Sequence, residues 1–415
     1  MRILMITPYV TIFGRKEFER NKTGFGCMVY DIAKAIGAIE EVEVLATNSR
    51  GGAFDIGEVH YVKRSFSLML KNIFYCLKLG KMRRLLKQFP VGRGQKIRLW
   101  YYWVMTGYVN SLIRNGGYDL VHIHGCALAN EFWMSICRKN NVRFVITLHG
   151  LNSFSDTVTL DYAAKKYERD FLQRVARGEQ VITVISSGIK HTIEAAYDVS
   201  NCPNIHVVLN SFSLPTENKD LGVPPSPINI RDFYHLPSDS KLLLYVGNIG
   251  RNKNQLQLLQ AFPLLNDSLR KKTYVLFLGN PSNELDLQKY IDESPFSRHL
   301  IYVGGVDKSQ IADYYRVADA TILLSYAEGF GLSLIEGMHF GLPCALFTDM
   351  DAFNDIYDSC SVVGIKNRSN EEVARSVELL LTKEWDREAI SSYSEKFNQD
   401  NMASRYIKVF QLVKD

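Results

Sequence analysis

The sequence predicts an α/β protein of two Rossmann-like, doubly wound parallel-sheet domains with a cleft between them. A chain of 415 residues is too long for one ordinary hydrophobic core. In both halves, short apolar runs alternate with helical patterns, which is typical of parallel sheets with helices on both faces. A proline-containing stretch without periodicity separates the halves. We therefore predict domains at 1–212 and 239–392, a linker at 213–238 and a closing helix at 393–415.

The individual elements follow from short apolar runs and from helical periodicity. The strands predicted in the first half are Ile3–Ile6, Val42–Ala46, Leu120–His124, Phe144–Leu148, Val181–Val184 and His206–Leu209. Those predicted in the second half are Leu242–Val246, Tyr274–Leu278, Leu300–Val303, Ala320–Leu324, Cys344–Phe347 and Ser361–Val363. The helical patterns include Cys27–Ile36, Ala127–Lys139, Tyr162–Val175, Gln255–Leu265, Leu285–Ile291, Ile311–Val317, Leu332–Phe340 and Glu371–Leu381.

The composition indicates a soluble protein of a reducing compartment. Apolar residues make up 46% of the chain and charged residues 22%, as in ordinary globular proteins. The seven cysteines are scattered and form no Cys-x-x-Cys pair, which argues against a disulfide or zinc framework. The apolar run at the start is too short for a signal peptide, and the sequence predicts no spanning helix. We therefore expect a cytoplasmic protein.

One segment of the first half is strongly basic. Residues 59–118 contain twelve Lys or Arg and no Asp or Glu, interleaved with aromatic and aliphatic residues. This pattern suits an anionic membrane surface. The alternatives are a helix packed by its apolar face with solvated cations outside, or binding to nucleic acid or another polyanion. We favour the membrane over nucleic acid. The cations predicted to face the membrane or acceptor are Lys78, Lys81, Arg83, Arg84 and Lys87.

The most informative segment for function is Glu328–Glu336, which reads Glu-Gly-Phe-Gly-Leu-Ser-Leu-Ile-Glu. It follows a predicted strand and runs into a predicted helix. Glycines let the backbone approach a ligand closely, and a helix start favours a phosphate. Glu336, about one turn into the helix, could accept hydrogen bonds from sugar hydroxyls. The alternative is an ordinary solvent-exposed loop and helix face.

Two further loops have the geometry of phosphate sites. The first strand leads through a long loop to Gly24, where a helix is predicted, but the loop lacks the Gly-x-Gly-x-x-Gly spacing. The first strand of the second half delivers Asn248, Arg251 and Lys253 to its carboxyl end. Cations at that position suit a diphosphate, and arginine can bind one through two hydrogen bonds. A solvated basic loop is the alternative.

Histidines cluster at strand ends in the first half. His122 and His124 end one predicted strand, and His149 follows the next. Strand alternation places His122 and His124 on one face. A single histidine at such a position is more often structural than catalytic, but two neighbouring strands that both end in His-Gly favour a site.

These segments together resemble the retaining, nucleotide-sugar-dependent glycosyltransferases of family four, also called group 1. That family has the type B fold of two facing Rossmann-like domains. The resemblance covers nearly the whole chain, and its most specific part is Glu328–Glu336. The other matching segments are Tyr118–Gly125, Thr147–Gly150, Val184–Gly188, Gly341–Pro343 and Phe397–Ile407, the last of which resembles the C-terminal helix that crosses back to the first domain.

The resemblance implies roles for single residues. Glu336 is similar to the glutamate that binds the nucleotide ribose, and Glu328 to the one that contacts the donor sugar. Lys253 matches the diphosphate lysine, and Gly24 matches the second glycine of an N-terminal pair. The backbone groups expected to approach sugar and phosphate belong to Phe330, Gly331 and Leu332.

Some positions depart from the family pattern. An arginine is usual where this chain has Asn248, so Arg251 would have to supply the charge. Thr23 stands where the first glycine of the pair is expected. For the histidine near the transferred sugar, the resemblance implies His124, with His122 as the second choice.

The implied reaction is retaining transfer of a sugar from a nucleotide donor, without a metal, to a lipid-linked glycan or polysaccharide. We expect UDP-sugar rather than GDP-sugar, and a peripheral position on the inner membrane face. A nucleotide-sugar epimerase of the same fold and a non-catalytic sugar-nucleotide or polyanion-binding protein are the alternatives. Asp349-Met-Asp351 mimics a metal-binding Asp-x-Asp, but its place after a strand predicts a loop with helix-cap character.

Overall fold

The computed structural model describes residues 1–12, 15, 18, 24–48, 52–63, 66–154, 161–212 and 229–414. The chain divides into two compact units. The first contains residues 1–210 together with 399–415, and the second contains residues 211–398. Each unit is built around its own sheet.

The first unit has an eight-stranded sheet in the order β3-β4-β2-β1-β5-β6-β7-β8. All neighbouring strands run parallel except the β3–β4 pair. The strands are β1 (Arg2–Thr7), β2 (Glu41–Ala46), β3 (Phe54–Ile56), β4 (Val59–Tyr61), β5 (Leu120–His124), β6 (Arg143–Leu148), β7 (Ile182–Val184) and β8 (Ile205–Val207). The helices that precede the second unit are α1 (Gly24–Gly37), α2 (Phe66–Lys71), α3 (Leu79–Gln88), α4 (Arg93–Gly116), α5 (Asn130–Lys139), α6 (Tyr162–Ala176) and α7 (Ser187–Ala196).

The second unit has a six-stranded, parallel sheet in the order β11-β10-β9-β12-β13-β14. Its strands are β9 (Lys241–Val246), β10 (Thr273–Leu278), β11 (Leu300–Gly304), β12 (Ala320–Leu323), β13 (Cys344–Phe347) and β14 (Val362–Ile365). Its helices are α8 (Ile230–Phe233), α9 (Gln255–Ala261), α10 (Asp267–Arg270), α11 (Leu287–Asp292), α12 (Lys308–Val317), α13 (Leu332–His339), α14 (Phe353–Ile356), α15 (Asn370–Thr382) and α16 (Arg387–Ser394).

The last helix, α17 (Gln399–Lys414), belongs to the first unit. It packs on α1 and β6. The Tyr406 and Phe410 rings lie 5.2 Å and 5.1 Å from the ring of His122, measured between centroids. The end of the chain therefore helps to bury the histidine strand β5.

The prediction of two doubly wound parallel-sheet domains is confirmed. Every predicted strand is present, with bounds shifted by at most a few residues. The sequence interpretation missed the β3–β4 hairpin at the sheet edge. Each of its strands has only three residues, too few to show alternation, and Gly57 makes the turn with φ +54°. The stacked rings of Phe54 and Tyr61, 4.8 Å apart, join the two strands.

Part of the predicted linker packs in the second unit. Residues 213–228 lie outside the described residues. Ile230 on α8 and Leu236 after it are buried in the apolar cluster that also contains Leu242 and Leu244 of β9. Their burial makes this stretch part of the second core, because apolar area removed from water stabilises the fold.

None of the helices in the described part of the chain is both long and apolar enough to cross a membrane.

Candidate functional site

The carboxyl end of β9 leads into a tight turn that is joined to the loop after β12. After Gly247 the chain forms a 3-10 turn, Arg251–Lys253, which ends at Asn254 in the left-handed region with φ +57°. The side chain of Asn252 donates to the Ala327 carbonyl at 2.8 Å and accepts from the Ala327 amide at 3.0 Å. Its own carbonyl accepts from the Tyr326 amide at 2.8 Å. One asparagine therefore fixes the backbone immediately before Glu328.

Lys253 and Glu328, both predicted site residues, form an ion pair in this arrangement. Their side chains are 26% and 19% exposed, so the pair is partly desolvated and open to solvent on one side. Partial burial strengthens the attraction beyond that of an ordinary surface pair. The structure thus places an ammonium and a carboxylate in contact at the end of the second sheet.

A buried tyrosine on β9 forms hydrogen bonds to the chain at the ends of both β9 and β12. Tyr245 on β9 donates to the carbonyl of Lys253 and accepts from the amide of Leu324 at 2.8 Å. Burial raises the pKa of the Tyr245 hydroxyl far above its usual value, so the group stays protonated and can donate. The ends of β9 and β12 are therefore held together by side-chain hydrogen bonds as well as by the sheet.

The glycine turn predicted between the two glutamates is present. Gly331 adopts φ +84° and precedes α13, so a side chain there would be strained. The Phe330 side chain is buried, with its ring 5.6 Å from that of Phe397 between centroids. Phe330 therefore anchors the turn, and only its backbone can serve a ligand. The amide of Leu332, at the first position of α13, has no intrahelical acceptor and can donate to an anion.

Glu336 lies on α13 and accepts a hydrogen bond from Tyr315 on α12 at 3.0 Å. The Tyr315 hydroxyl also lies 3.1 Å from the Ser333 carbonyl oxygen. Burial raises the pKa of Tyr315 well above its usual value, and this keeps its proton available for the carboxylate. The structure therefore holds Glu336 in one orientation through a residue that the sequence interpretation did not identify.

The two remaining donor-site candidates lie at the surface of this region. Asn248 is exposed and its amide oxygen accepts from the side chain of Asn280 at 3.3 Å. Arg251 is also exposed, and it takes part in no ion pair that the described residues form. A Cβ at Gly279 would lie 2.0 Å from the Gly247 carbonyl oxygen, so close backbone packing shapes this edge.

In the Asp349-Met-Asp351 segment, Asp349 makes structural contacts. Asp349 forms two hydrogen bonds with the Arg368 guanidinium, at 3.0 Å and 2.9 Å. Arg368 also donates to the Ser325 carbonyl at 3.2 Å and lies over the rings of Tyr326 and Phe347. The segment is a loop, as predicted, but its helix-cap character is wrong, because the N-cap of α14 is Ala352 and no side chain caps that helix. The contacts of Arg368 brace the loop leading to Glu328.

The first unit brings its three predicted histidines together. The rings of His122 and His124 lie 4.1 Å apart between centroids, and His124 Nδ1 lies 3.1 Å from His149 Nε2. His122 Nε2 lies 2.6 Å from the hydroxyl of Thr147. Burial lowers the pKa of His122 to about 3 and lowers the pKa of His124 well below its usual value. Both rings are therefore neutral at neutral pH.

A cavity of about 200 Å³ opens at the carboxyl ends of β1 and β5. His124 is part of its lining, whereas His122 lies in the layer beneath, against Thr147. Phe25 at the start of α1 also lines it, and the Phe25 ring packs edge-on against His149 with centroids 4.8 Å apart. Of the two candidate histidines, His124 is therefore the one that borders the cavity.

Gly24 and its neighbour differ in their packing. A Cβ added at Gly24 meets no described atom within 4 Å, whereas one at Gly26 would lie 2.2 Å from the Thr11 hydroxyl. Packing therefore demands glycine at Gly26, and the donor-binding role of Gly24 remains a prediction. Thr23 lies outside the described residues.

Comparison with known proteins decides the family. The family model for glycosyl transferases group 1 matches residues 228–397, and the model for Glycosyltransferase Family 4 matches residues 24–214. Together they span both units. The chain belongs to the group 1 glycosyltransferases.

Curated relatives of this group 1 chain are distant. The putative teichuronic acid biosynthesis glycosyltransferase TuaC of Bacillus subtilis is 26% identical over 262 residues, which are 62% of this chain and 60% of that protein. The D-inositol 3-phosphate glycosyltransferase of Streptosporangium roseum is 26% identical over 306 residues, covering 69% of this chain and 68% of that protein. The alignment thus spans less than two thirds of the Bacillus protein.

The fold agrees with solved structures over the whole chain. A sucrose-phosphate synthase from Thermosynechococcus elongatus superimposes with a TM-score of 0.71 at 15% identity, covering 100% of this chain and 99% of that one. A glycosyltransferase from Rickettsia africae gives 0.70 at 15% identity, with 99% and 98% coverage. At this identity the likeness establishes the fold alone.

The basic segment of this group 1 glycosyltransferase forms α2, α3, α4 and a 3-10 turn, Ile73–Tyr75. Helix α3 buries Met82 and Leu85 and turns its cations outward, as the packing alternative expects. Lys81 is half-buried, and burial lowers its pKa. The other four cations predicted to face the membrane or acceptor, Lys78, Arg83, Arg84 and Lys87, are exposed.

In contrast to the buried apolar residues of α3, several large apolar residues of α2, the 3-10 turn and α4 are exposed. Phe66 is 68% exposed and Phe74 is 93% exposed, and Ile97 on α4 is 72% exposed. Large apolar side chains turned outward beside cations are not explained by internal packing.

The sequence interpretation missed the residues that hold the site together. Asn252, Tyr245, Tyr315 and Arg368 position the predicted glutamates and lysine. The available signal was the position of Asn252, between Arg251 and Lys253, in a turn at the end of a strand.

Proposed function

We propose that this protein transfers a sugar, with retention, from a nucleotide diphosphate donor to a lipid-linked glycan or polysaccharide at the inner face of a membrane. The observation that carries the proposal is the Lys253–Glu328 pair, which Asn252 fixes beside a glycine turn and a helix start. An ammonium and free helix amides suit a diphosphate, and a fixed carboxylate beside them suits sugar hydroxyls.

In this proposal the reaction breaks the bond between the anomeric carbon and a diphosphate oxygen. The acceptor oxygen forms the new bond on the same face, and the acceptor proton passes to the departing diphosphate. Negative charge on the leaving group would be stabilised by Lys253, with Arg251 in place of the arginine missing at Asn248. One such preorganised donor is typically worth about 2.7–4 kcal/mol. Charge stabilisation by these groups would serve in place of a metal.

The remaining donor contacts follow the geometry of α13. Glu336, oriented by Tyr315, would accept hydrogen bonds from the ribose hydroxyls. Gly24 and His124 would serve from the first unit, with His124 as the histidine near the transferred sugar. We favour UDP-sugar over GDP-sugar. A thermal-shift panel of UDP, GDP and their sugars tests the donor, because a specific ligand raises stability by mass action.

Replacing Glu328 tests the core of the proposal. Glu328→Gln keeps the size of the side chain but removes the charge, so transfer should be abolished while nucleotide binding survives. Product formation with radiolabelled nucleotide sugars measures transfer, and the nucleotide thermal shift measures binding. Glu293→Gln, at an exposed position after α11, is the matched control and should leave both unchanged. Normal turnover in Glu328→Gln would remove Glu328 from the mechanism.

Two observations support the proposed acceptor and membrane position: the name of a relative and the exposed surface of the basic segment. The name of the Bacillus relative refers to teichuronic acid biosynthesis. The outward-facing Phe66, Phe74 and Ile97 lie in a segment without carboxylates, which favours contact with an anionic bilayer.

Vesicle binding tests the membrane position. Neutralising Arg83, Arg84 and Lys87 to Gln should weaken partitioning onto vesicles of phosphatidylglycerol and phosphatidylcholine, by about 1 kcal/mol for each cation near the surface. The matched control replaces three exposed lysines of the second unit: Lys271, Lys272 and Lys289. Unchanged partitioning in the first variant, or an equal loss in the control, would contradict membrane binding by these cations. It would favour the alternative of a packed helix with solvated cations outside.

A further inference from the structure

The neighbouring strands β5 and β6 give the two histidines of β5 different hydrogen-bond partners. The strands run parallel, with His122 in register with Val145 and His124 in register with Thr147. Each histidine contacts the side chain two positions beyond its register partner. His122 Nε2 therefore lies 2.6 Å from the Thr147 hydroxyl, and His124 Nδ1 lies 3.1 Å from His149 Nε2.

The two kinds of partner differ in what they fix. A threonine hydroxyl rotates and can donate or accept, so Thr147 suits either position of the proton on His122. A neutral imidazole carries one ring proton, and each of its nitrogens is either a donor or an acceptor. In the contact between His124 and His149, one nitrogen has to donate and the other has to accept. The position of the proton on one ring therefore determines its position on the other.

Burial keeps both rings of this contact neutral. It lowers the pKa of His124 well below its usual value and lowers the pKa of His149 to about 3. At neutral pH each ring therefore carries a single N–H proton. A charged ring would donate from both nitrogens and would lose this dependence on its neighbour.

The chain that follows β6 is held so that His149 stays against His124. Glu168 of α6 is 2% exposed, and its carboxylate accepts hydrogen bonds from the amide of Asn152, at 3.3 Å, and from that of Ser153. The adjacent Arg169 side chain donates to the Ser153 carbonyl at 3.0 Å. Moving this stretch would leave buried polar groups without partners, which is costly. The contact between the two rings is therefore preorganised.

The surroundings of His124 favour a proton on Nδ1. The residue is 2% exposed, and among the residues that the structure describes its Nε2 has no hydrogen-bond partner. A buried N–H without an acceptor is rarer in proteins than a buried acceptor without a donor. His149 then accepts at its Nε2 and carries its own proton on Nδ1.

We propose that His149 is a positioning residue that keeps the proton of His124 on Nδ1 and so leaves Nε2 with a lone pair for a ligand. The catalytic consequence rests on the proposed transferase function. As the histidine near the transferred sugar, His124 would accept a hydrogen bond from a sugar hydroxyl and would not donate one. His149 would thus set the direction of that hydrogen bond without touching the sugar.

NMR of the histidine rings in the full chain tests the inference, because the two neutral forms of an imidazole differ in their ring-nitrogen chemical shifts. The chain contains nine histidines, and the signals that disappear in His124→Gln identify His124. In the wild-type protein this ring should carry its proton on Nδ1. A proton on Nε2 would overturn the inference.

Variants at His149 separate positioning from folding. His149→Phe keeps an aromatic ring but removes the acceptor, so the proton of His124 should be shared between Nδ1 and Nε2. His149→Gln offers a carbonyl oxygen as acceptor and should restore the proton to Nδ1. His191→Phe, at an exposed position of α7, is the matched control and should leave the His124 signals unchanged. The wild-type proton position in His149→Phe would contradict the role of His149.

Kinetic measurements separate this inference from the proposed function. His149→Phe should lower kcat for transfer by about tenfold, and His149→Gln should recover most of it. The thermal shift with nucleotide should persist in both variants, because the proposed diphosphate contacts lie in the second unit. If transfer occurs and the proton of His124 does not depend on residue 149, the inference fails while the transferase proposal stands. If the proton moves as expected and no nucleotide sugar supports transfer, the assignment of His149 holds and the transferase proposal fails.

Discussion

The two units present opposite chemistry at the carboxyl ends of their sheets. In the second unit, Lys253 and Glu328 form a partly exposed ion pair that is held by hydrogen bonds from Asn252. In the first unit, His122 and His124 are buried and neutral, and among the described residues the cavity beside them is lined by aromatic and uncharged groups. The same doubly wound architecture therefore carries a partly exposed ion pair in one unit and buried, neutral histidines in the other.

This difference shows that two domains of the same fold can carry different chemistry at equivalent sheet edges. Parallel sheets place loops at one edge whatever their sequence, so the chemistry depends on a few side chains in those loops. A diphosphate requires cations, and the proposed donor site in the second unit contains Lys253 for that purpose.

Removing the Lys253 ammonium from the second unit should have the largest effect on transfer. Lys253→Met should lower kcat/KM for transfer by about a hundredfold to a thousandfold, because it removes a preorganised charge from the leaving group. Steady-state assays with the nucleotide sugar measure this loss. Lys241→Met, at the other end of β9 in a pair with Asp319, is the matched control and should retain activity. If the Lys253→Met enzyme were fully active, transfer would not need the Lys253 charge, and the proposed role of the ion pair would be wrong.

Loosening the charged site without changing its charge should have a smaller effect. Asn252→Ala removes two hydrogen bonds to Ala327, which are worth about 1–3 kcal/mol together, so kcat should fall by about tenfold to a hundredfold. Nucleotide binding, measured by thermal shift, should persist because Lys253 remains. Asn252→Asp keeps an acceptor for the Ala327 amide and should recover part of the rate.

Asn115→Ala, on the exposed surface of α4, is the control for the asparagine series. If Asn252→Ala lowers thermal stability and nucleotide binding in parallel with kcat, the asparagine serves the fold and does not specifically position Glu328.

Titrating His122 in the first unit should act on stability. The folded pKa of His122 is about 3, below the value of about 6.5 expected in the unfolded chain. Between these values the unfolded state binds a proton that the folded state does not. The free energy of unfolding should therefore fall as pH drops from about 6.5 towards 3, by up to about 1.4 kcal/mol per pH unit for this residue.

Calorimetry from pH 7 to 4 checks this dependence. His122→Asn should give a shallower loss of stability with falling pH than the wild-type protein, and His191→Asn, on the exposed surface of α7, is the control. An identical pH dependence in His122→Asn and wild type would contradict a buried, neutral histidine at this position.

Much of the fold was predictable from the sequence because buried parallel strands produce continuous apolar runs. The strands β1, β5, β9 and β12 were identified in this way, within one or two residues of their observed bounds. The β3–β4 hairpin was missed because three-residue strands carry no measurable period.

The candidate site was predictable only in part. Glu328, Glu336 and Lys253 were identified because their loops follow recognisable strands and precede helices. The partners that fix them were not, because these contacts join residues far apart in the chain. The bond between Asn252 and Ala327 spans 75 positions, and the one between Tyr315 and Glu336 links two helices.

The sequence by itself determined the alternation of strands and helices in each half and the shared face of His122 and His124, because these depend on local periodicity. Only the tertiary structure decided which groups are charged, neutral or exposed. Burial removes the proton from the histidines, an asparagine fixes the Glu328 loop, and Phe74 turns outward among cations. Protonation and exposure depend on the surroundings of a side chain, which elements distant in sequence assemble only when the chain folds.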